Sequence, residues 1–498
     1  MIRAFFRNAS VLAAAEVLAR LKGLVILPLL THRFHAVGYG VWAQVGVLVA
    51  LFAPLITLGT DAGVVRYLSG SDAEDRKQSF AGWVVMIGVA ALVVCVLIAL
   101  LRHPLAQLAF GQGGSYARYI PLAAASILTT IFLNFSRTWL RLENSAVGLS
   151  CITLAQAALS TLALLVMFLL GQGLYQLILY SVVADAFLGT VMLAWVVRKA
   201  GVARPDFALL PRLIRYGAVL LPAGYAIWAL NWADRVFLVH WTDLRAVGLY
   251  SLAYSLGYLV IQTVVNPIWT MFPNVAASLW NQGNRAEVQR LFESTAGAML
   301  FVFLPVFAGG AVLGDGVLRL LAPPEFADAG PVLPLVLGGY LCFMLAAFYE
   351  VTFGLVDRQA LGLLTVTVAS LFNIAQNLAL IPPYSYIGAA IATLAAFVLQ
   401  LVVAVALGSR LRTLRTPIRQ PALMVVASAS MAFVLAPLHG VFVGHGGVRL
   451  LLGIAFGGVV YAVLCRLLRV IPPGLASRET KRLLRRQRRE PTPELPFV

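Results

Sequence analysis

The chain has 498 residues, of which 61% are apolar and only 11% charged, with a mean hydropathy of +0.89 and a formal net charge of +17. A water-soluble domain of this length carries roughly twice that charged fraction, so composition excludes a soluble globular protein. Cys95, Cys151, Cys342 and Cys465 lie far apart inside apolar runs, which points away from a disulfide framework or a metal cluster and towards small packing residues.

Arg3 and Arg7 precede an apolar stretch from Ala9 to about Leu30. That stretch is too long for the core of a secretory signal, and we read it as the first membrane helix rather than a cleaved leader. Further runs predict spans at 9–31, 39–62, 80–101, 118–140, 146–170, 174–197, 215–240, 247–273, 294–314, 331–355, 360–381, 387–408, 420–437 and 448–468. Each is long enough to cross a hydrocarbon core of roughly 30 Å. Helices are expected because every backbone amide in lipid must be paired within its own segment, and runs such as Val84–Leu101 lack the alternation of a barrel strand. The expected fold is an all-α polytopic membrane protein of about fourteen spans.

Basic residues divide unevenly between the loops. With the N-terminus inside, inner loops hold Arg66, Arg76, Lys77, Arg137, Arg141, Arg198, Lys199, Arg212 and many more, outnumbering the outer set by roughly four to one. Both termini are therefore expected in the cytoplasm. The asymmetry accounts for most of the net charge without invoking a nucleic-acid partner. A basic tail around 478–489 is expected to lie against anionic headgroups of the bilayer.

An internal repeat supplies the domain organisation. Ala36-Val37-Gly38-Tyr39-Gly40, opening the second span, recurs as Ala246-Val247-Gly248-Leu249-Tyr250, opening the eighth. Gly173-Leu174-Tyr175, before the sixth, is echoed more weakly by Tyr386-Ile387-Gly388 before the twelfth. Six intervening spans keep both copies in the same orientation, which predicts two pseudo-symmetric six-helix lobes about an axis along the membrane normal. The expected division is 1–200 and 201–410 for the lobes, 411–470 for two extra helices, and 471–498 for the cytoplasmic tail.

Trp232-Ala233-Asp234-Arg235 followed by Ala246 through Tyr254 resembles the seventh-to-eighth helix signature of polysaccharide and O-antigen flippases. Asn373-Ile374, Asn377-Leu378, Ile381-Pro382 and Gly388 through Thr393 resemble that family's eleventh-to-twelfth helix signature, and Pro28 through Gly40 also fits. The family belongs to the multidrug/oligosaccharidyl-lipid/polysaccharide exporter superfamily, and the resemblance covers about residues 5–410. Many O-antigen flippases have twelve spans rather than fourteen. The early arginine-glycine pattern of the lipid II branch is absent, which favours the polysaccharide branch. The resemblance implies alternating-access transport of a polyprenyl-diphosphate-linked oligosaccharide from the cytoplasmic to the outer leaflet of a bacterial cytoplasmic membrane, without a cofactor. A polysaccharide polymerase and chain-length machinery are the further partners it implies.

A diphosphate crossing hydrocarbon needs fixed cations in a wet cavity. Arg20 and Lys22 lie near the centre of the first span, where a lone charge costs about 2.5–3.5 kcal/mol on the milder scale. They are about 200° apart on the helical wheel and cannot share a face. Arg20 either faces the cavity or pairs with Glu16 four residues before it. Arg137 and Arg141, one turn apart with Asn134 on the same face, suit either a basic mouth or topology anchors. Arg235 shares a face with Asn231 and Asp234, as a substrate contact or an interfacial ion pair. Asn373 and Asn377 stack on one face of the eleventh span, able to reach sugar hydroxyls or to bond between helices. Asp185, Asp234 and Glu350 are candidates for ion coupling, carrying a proton or sodium, or for pairing with a cation on another helix. Pro28, Pro54, Pro222, Pro267 and Pro305 permit bends.

The lysines, Lys22, Lys77, Lys199 and Lys481, end no GxxxxGK[ST] loop, so ATP hydrolysis is not expected and the chain is not read as an enzyme. A membrane-embedded polymerase or ligase would need a large outer loop with paired acids, whereas 102–117 and 314–330 are short. A drug/cation antiporter of the same superfamily would favour a cavity dominated by carboxylates. On this reading Arg20→Ala abolishes polymer export in complemented cells while protein abundance stays level; wild-type export would remove Arg20 from the site.

Overall fold

The computed structural model describes residues 2–111, 114–201, 203–264, 272–411, 419–443 and 446–470. The side chains of 2–14, 16, 17, 20, 21, 200 and 262–264 lie outside the described residues, and so do Pro267 and the tail 471–498.

Among the described residues, twelve helical stretches are long and apolar enough to cross a membrane. Two of them are double. Helix Ile2–Thr57 breaks at His35, where the backbone turns to φ 57°, ψ −171°, giving α1 (2–34) and α2 (36–57). At about 1.5 Å per residue the 52-residue helix Ala360–Leu411 would be roughly 78 Å long if straight. It breaks instead at Ser385, giving α11 (360–384) and α12 (386–411). Between these lie α3 (Ala73–Leu100), α4 (Ile120–Leu142), α5 (Ala146–Leu169), α6 (Leu174–Ala200), α7 (Leu210–Trp241), α8 (Leu244–Val264), α9 (Arg285–Leu321) and α10 (Val332–Leu355). The series ends with α13 (Arg419–Leu435) and α14 (Gly447–Leu467). The all-helical architecture of about fourteen crossings follows the spans read from hydropathy.

Helix α1 packs on α5, and α4 on α6 and α3; α10 packs on α11 and α12, and α8 on α10. The two C-terminal helices dock on α9 through Leu300, Leu304, Met424, Met431, Leu450 and Tyr461. Many lipid-length helices keep an apolar outer face, as Val89, Leu92, Leu169, Phe433 and Leu467 do. Exposed leucine is expected where the surrounding solvent is hydrocarbon.

The repeated motif meets its own copy. At the end of the bundle holding His35, here the hinge end, a Cβ on Gly40 would strike the Leu244 carbonyl, and one on Gly248 would strike the Ala36 carbonyl. Helices α2 and α8 therefore cross backbone to backbone, through reciprocal contacts between pseudo-equivalent segments. Only glycine fits, because any side chain would hold the backbones apart. At the opposite, arginine-rich end, here the basic end, Gly217 of α7 abuts the Leu58 carbonyl after α2 in the same way.

Helix α7 is itself irregular. Pro222 lies inside it, and Ala229–Ala233 forms a π-helical turn immediately before Asp234 and Arg235. A π turn inserts one residue into the helical register and so shifts the faces on which the following side chains fall.

Gly248→Val should cost about 1–3 kcal/mol through overpacking. The thermal midpoint of the purified protein in detergent should fall, whereas Gly88→Val, where a Cβ meets nothing within 4 Å, should leave it unchanged. Equal behaviour of the two variants would contradict the close crossing.

Candidate functional site

A cavity of about 810 Å³ lies between α1, α2, α4, α5, α6 and α8. Its wall at the basic end comes from Arg141, in the last turn of α4, and Leu149, in the first turn of α5. Lys22, Arg137, Gln156, Ser160, Ser181 and Asp185 line the middle, with Ser255 and Tyr258 from α8. Tyr39 and Trp42 of α2 line the part towards the hinge end.

The polar groups are linked. Lys22 Nζ donates to Ser160 Oγ at 3.2 Å. Arg137 donates to Gln156 Oε1, and Gln156 Nε2 donates to Asp185 Oδ1 at 3.2 Å. Guanidinium can only donate and carboxylate can only accept, so the amide has one orientation that serves both. Lys22, Arg137 and Asp185 also act on one another electrostatically. Arg137 further lines a smaller cavity of about 340 Å³ between α2, α4 and α7, together with Thr57, Asp61 and Asn134.

The hinge end is shut. Tyr39 donates to Ser255 Oγ at 3.2 Å across the cavity, and its ring meets Phe326 edge-on. Glu325, in the 3-10 turn Pro324–Ala329 between α9 and α10, accepts from the Ala36 N–H at 2.9 Å and contacts His35 Nδ1 at 3.2 Å. The α1–α2 break leaves Ala36 as an unpaired helix-initial donor, and a carboxylate from the other half of the chain caps it. Arg245 pairs with Asp328 of the same turn at 3.0 Å.

The remaining sequence candidates lie elsewhere. Asp234 and Arg235 form an ion pair at 3.0 Å, at 0% and 3% exposure, inside the second half of the bundle. Arg235 also donates to the Asn231 carbonyl at 2.7 Å and Ser251 Oγ at 3.2 Å, and lies over the rings of Trp232, Tyr250 and Tyr254. Tyr250 donates to Asp234 Oδ2. Asn377 Nδ2 donates to Asn373 Oδ1 at 3.0 Å, both residues being buried, while Asn373 Nδ2 and Asn377 Oδ1 have no partner among the described residues. Glu350 of α10 contacts Thr365 and Gln400. None of these residues lines the 810 Å³ cavity. The side chains of Arg20 and Glu16 lie outside the described residues.

Sequence reading missed Gln156, Ser160, Ser255, Tyr39 and Glu325. The stripe Thr153, Gln156, Ser160 at spacings of three and four along an apolar span was a legible signal. Glu325 had none, because its role depends on a contact between distant loops.

The family described as Polysaccharide biosynthesis protein matches residues 5–278, more than half of the chain. The chain belongs to this family. It is 24% identical to the probable low-salt glycan biosynthesis flippase Agl15 of Haloferax volcanii over 293 residues, 58% of this chain and 60% of that protein. Over 433 residues, 84% of this chain and 87% of the relative, it is 22% identical to the probable flippase AglR of the same organism. Among solved structures, the lipid II flippase MurJ in an inward closed conformation superposes with a TM-score of 0.77 at 14% identity, covering 92% of this chain and 98% of that one. An inward-facing multidrug resistance MATE transporter of the MOP superfamily gives 0.65 at 14% identity, covering 80% and 98%. This member of the polysaccharide biosynthesis family therefore has the MOP transporter fold.

The latch yields a prediction. In a background with the four native cysteines replaced by alanine, Ser255→Cys should react slowly with an impermeant maleimide added from the hinge-end side. Glu325→Ala should raise that rate by about tenfold or more, the effect of losing hydrogen bonds to a charged group. An unchanged rate would show that Glu325 does not hold the hinge end shut.

Proposed function

We propose that the protein is a flippase carrying a polyprenyl-diphosphate-linked oligosaccharide from the cytoplasmic to the outer leaflet by alternating access. One observation carries this reading: Lys22, Arg137 and Arg141, from two different helices, line one polar cavity deep inside an apolar helical bundle. Three cations against one carboxylate make the cavity net positive, which suits a diphosphate. Ser160, Ser181, Ser255, Tyr39 and Tyr258 offer hydroxyls to a glycan, and Trp42 offers an apolar ring face. The names of the Haloferax relatives support the flippase reading.

Direction follows from charge. Loading the basic end on the cytoplasmic side satisfies the positive-inside tendency, places both termini in the cytoplasm, and makes the described conformation inward-facing with its outer end latched. The lipid-linked unit arrives at Arg141, its diphosphate settles between Arg137 and Lys22, and its isoprenoid tail stays in the bilayer. Arg235 serves as the fixed partner of Asp234 and holds α7 to α8. With Asp234 held by Arg235, Asp185 and Glu350 are the groups left for ion coupling, and a polymerase at the outer face would consume the product.

A cation antiporter is the second reading, kept by Asp185 in the cavity. Binding to purified protein separates the two. On the flippase reading a polyprenyl diphosphate binds, and Lys22→Ala or Arg137→Ala each weakens it by about tenfold to a hundredfold, the effect of one charge-assisted hydrogen bond. Binding of organic cations with no binding of the lipid diphosphate would overturn it.

A further inference from the structure

Among the described residues, three carboxylates inside spans are candidates for ion coupling: Asp185 and Asp234 have cations beside them, and Glu350 lies towards the basic end of α10. Asp234 is paired with Arg235 and also accepts the Arg235 backbone N–H at 2.8 Å and the Tyr250 hydroxyl. Asp185 shares its cavity with Lys22 and Arg137. Glu350 has neither. The helices around it supply two neutral neighbours, Thr365 of α11 and Gln400 of α12, both fully buried, and no charged side chain among the described residues acts on it. An isolated carboxylate among apolar helices is costly, while the neutral acid is not.

The hydrogen atoms can be counted. Thr365 Oγ1 lies 2.6 Å from Glu350 Oε1 and 2.8 Å from the Gly362 carbonyl oxygen. A hydroxyl owns a single proton, and a carbonyl can only accept. If Thr365 gives its proton to Gly362, the shorter contact needs a proton from Glu350. Gln400 Nε2, 2.9 Å from the same Oε1, donates to it in either protonation state. A protonated Oε1 can accept from Gln400 and donate to Thr365 at once, which satisfies all three contacts. An ionised Glu350 would draw the Thr365 proton away from Gly362.

We propose that Glu350 is a carboxylic acid in this conformation and is the residue on which a proton is carried through the transport cycle. The proton leaves Glu350 Oε1 for water when α10, α11 and α12 shift, and Thr365 then turns its own proton to the carboxylate. Glu350 is only partly buried, which leaves a route for that exchange. The assignment of a carrier role rests on the flippase reading; the protonation state does not.

The test has two arms on the full-length protein. Infrared difference spectra of wild type against Glu350→Gln should show a carboxylic C=O stretch that is present only in the wild type and shifts in D2O. Thr365→Val should move that band towards a less hydrogen-bonded frequency, and Glu350→Asp should retain an acid band. In proteoliposomes with a polyprenyl-diphosphate-linked glycan, Glu350→Gln should lose proton-driven net export by about tenfold or more while binding and exchange persist. Absence of the band in a folded wild-type protein would overturn the protonation claim. A band without any transport defect would overturn the carrier role. Lack of substrate binding by the wild type would instead defeat the flippase reading and leave the band assignment standing.

Discussion

A charge held at mid-membrane depth must find a partner or water, and this bundle is arranged around that requirement. Its solutions are of three kinds. Asp234 and Arg235 neutralise each other in dry packing, with Tyr250 and Ser251 using up remaining hydrogen-bonding capacity. Lys22, Arg137 and Asp185 share a polar cavity, tied together by Ser160 and Gln156. Glu350 sits between two neutral side chains, Thr365 and Gln400. The first arrangement binds α7 to α8, and the second leaves positive charge facing a cavity. The difference between them separates architecture from transport.

The cavity is useful only if it can open at one end at a time. At the hinge end the seal is made of backbone, with Gly40 against Leu244 and Gly248 against Ala36. Glu325 and the Arg245–Asp328 pair add polar contacts over it. Contacts of this kind are short-range and all-or-none: once α2 and α8 separate by a side chain's width, water replaces the carbonyl contacts. Such a seal suits a two-state gate, since interfaces of packed backbone are bistable rather than continuously deformable.

The sequence disclosed most of the fold because lipid imposes simple rules. Length and hydropathy placed the spans among the described residues, and the Ala-Val-Gly repeat, read as a sign of two related lobes, turns out to lie at the α2–α8 crossing. Charges inside spans were equally plain, but their destinations were not. Lys22, Arg137, Arg141 and Asp185 converge on one cavity, while Arg235 turns into a private pair. The sequence leaves an ion pair with Asp234 open for Arg235 beside a substrate contact, and spacing alone gives no reason to prefer one over the other. Asn373 and Asn377 bond within one helix, so neither of the two roles open to them from sequence is what the described contacts show. Gln156 and Glu325 act through partners 29 and 289 residues away, separations at which sequence pattern carries no signal.

The central claim is that Lys22 and Arg137 offset an anionic headgroup's loss of hydration inside the cavity. The most direct measurement is a cryo-electron microscopy structure of the purified protein with a polyprenyl-diphosphate-linked glycan bound. The account predicts diphosphate density between Lys22 and Arg137, sugars along Ser255, Tyr258 and Trp42, and the tail leaving between helices into lipid. Density for the diphosphate anywhere else, with both cations still bonded as in the unliganded protein, would contradict it.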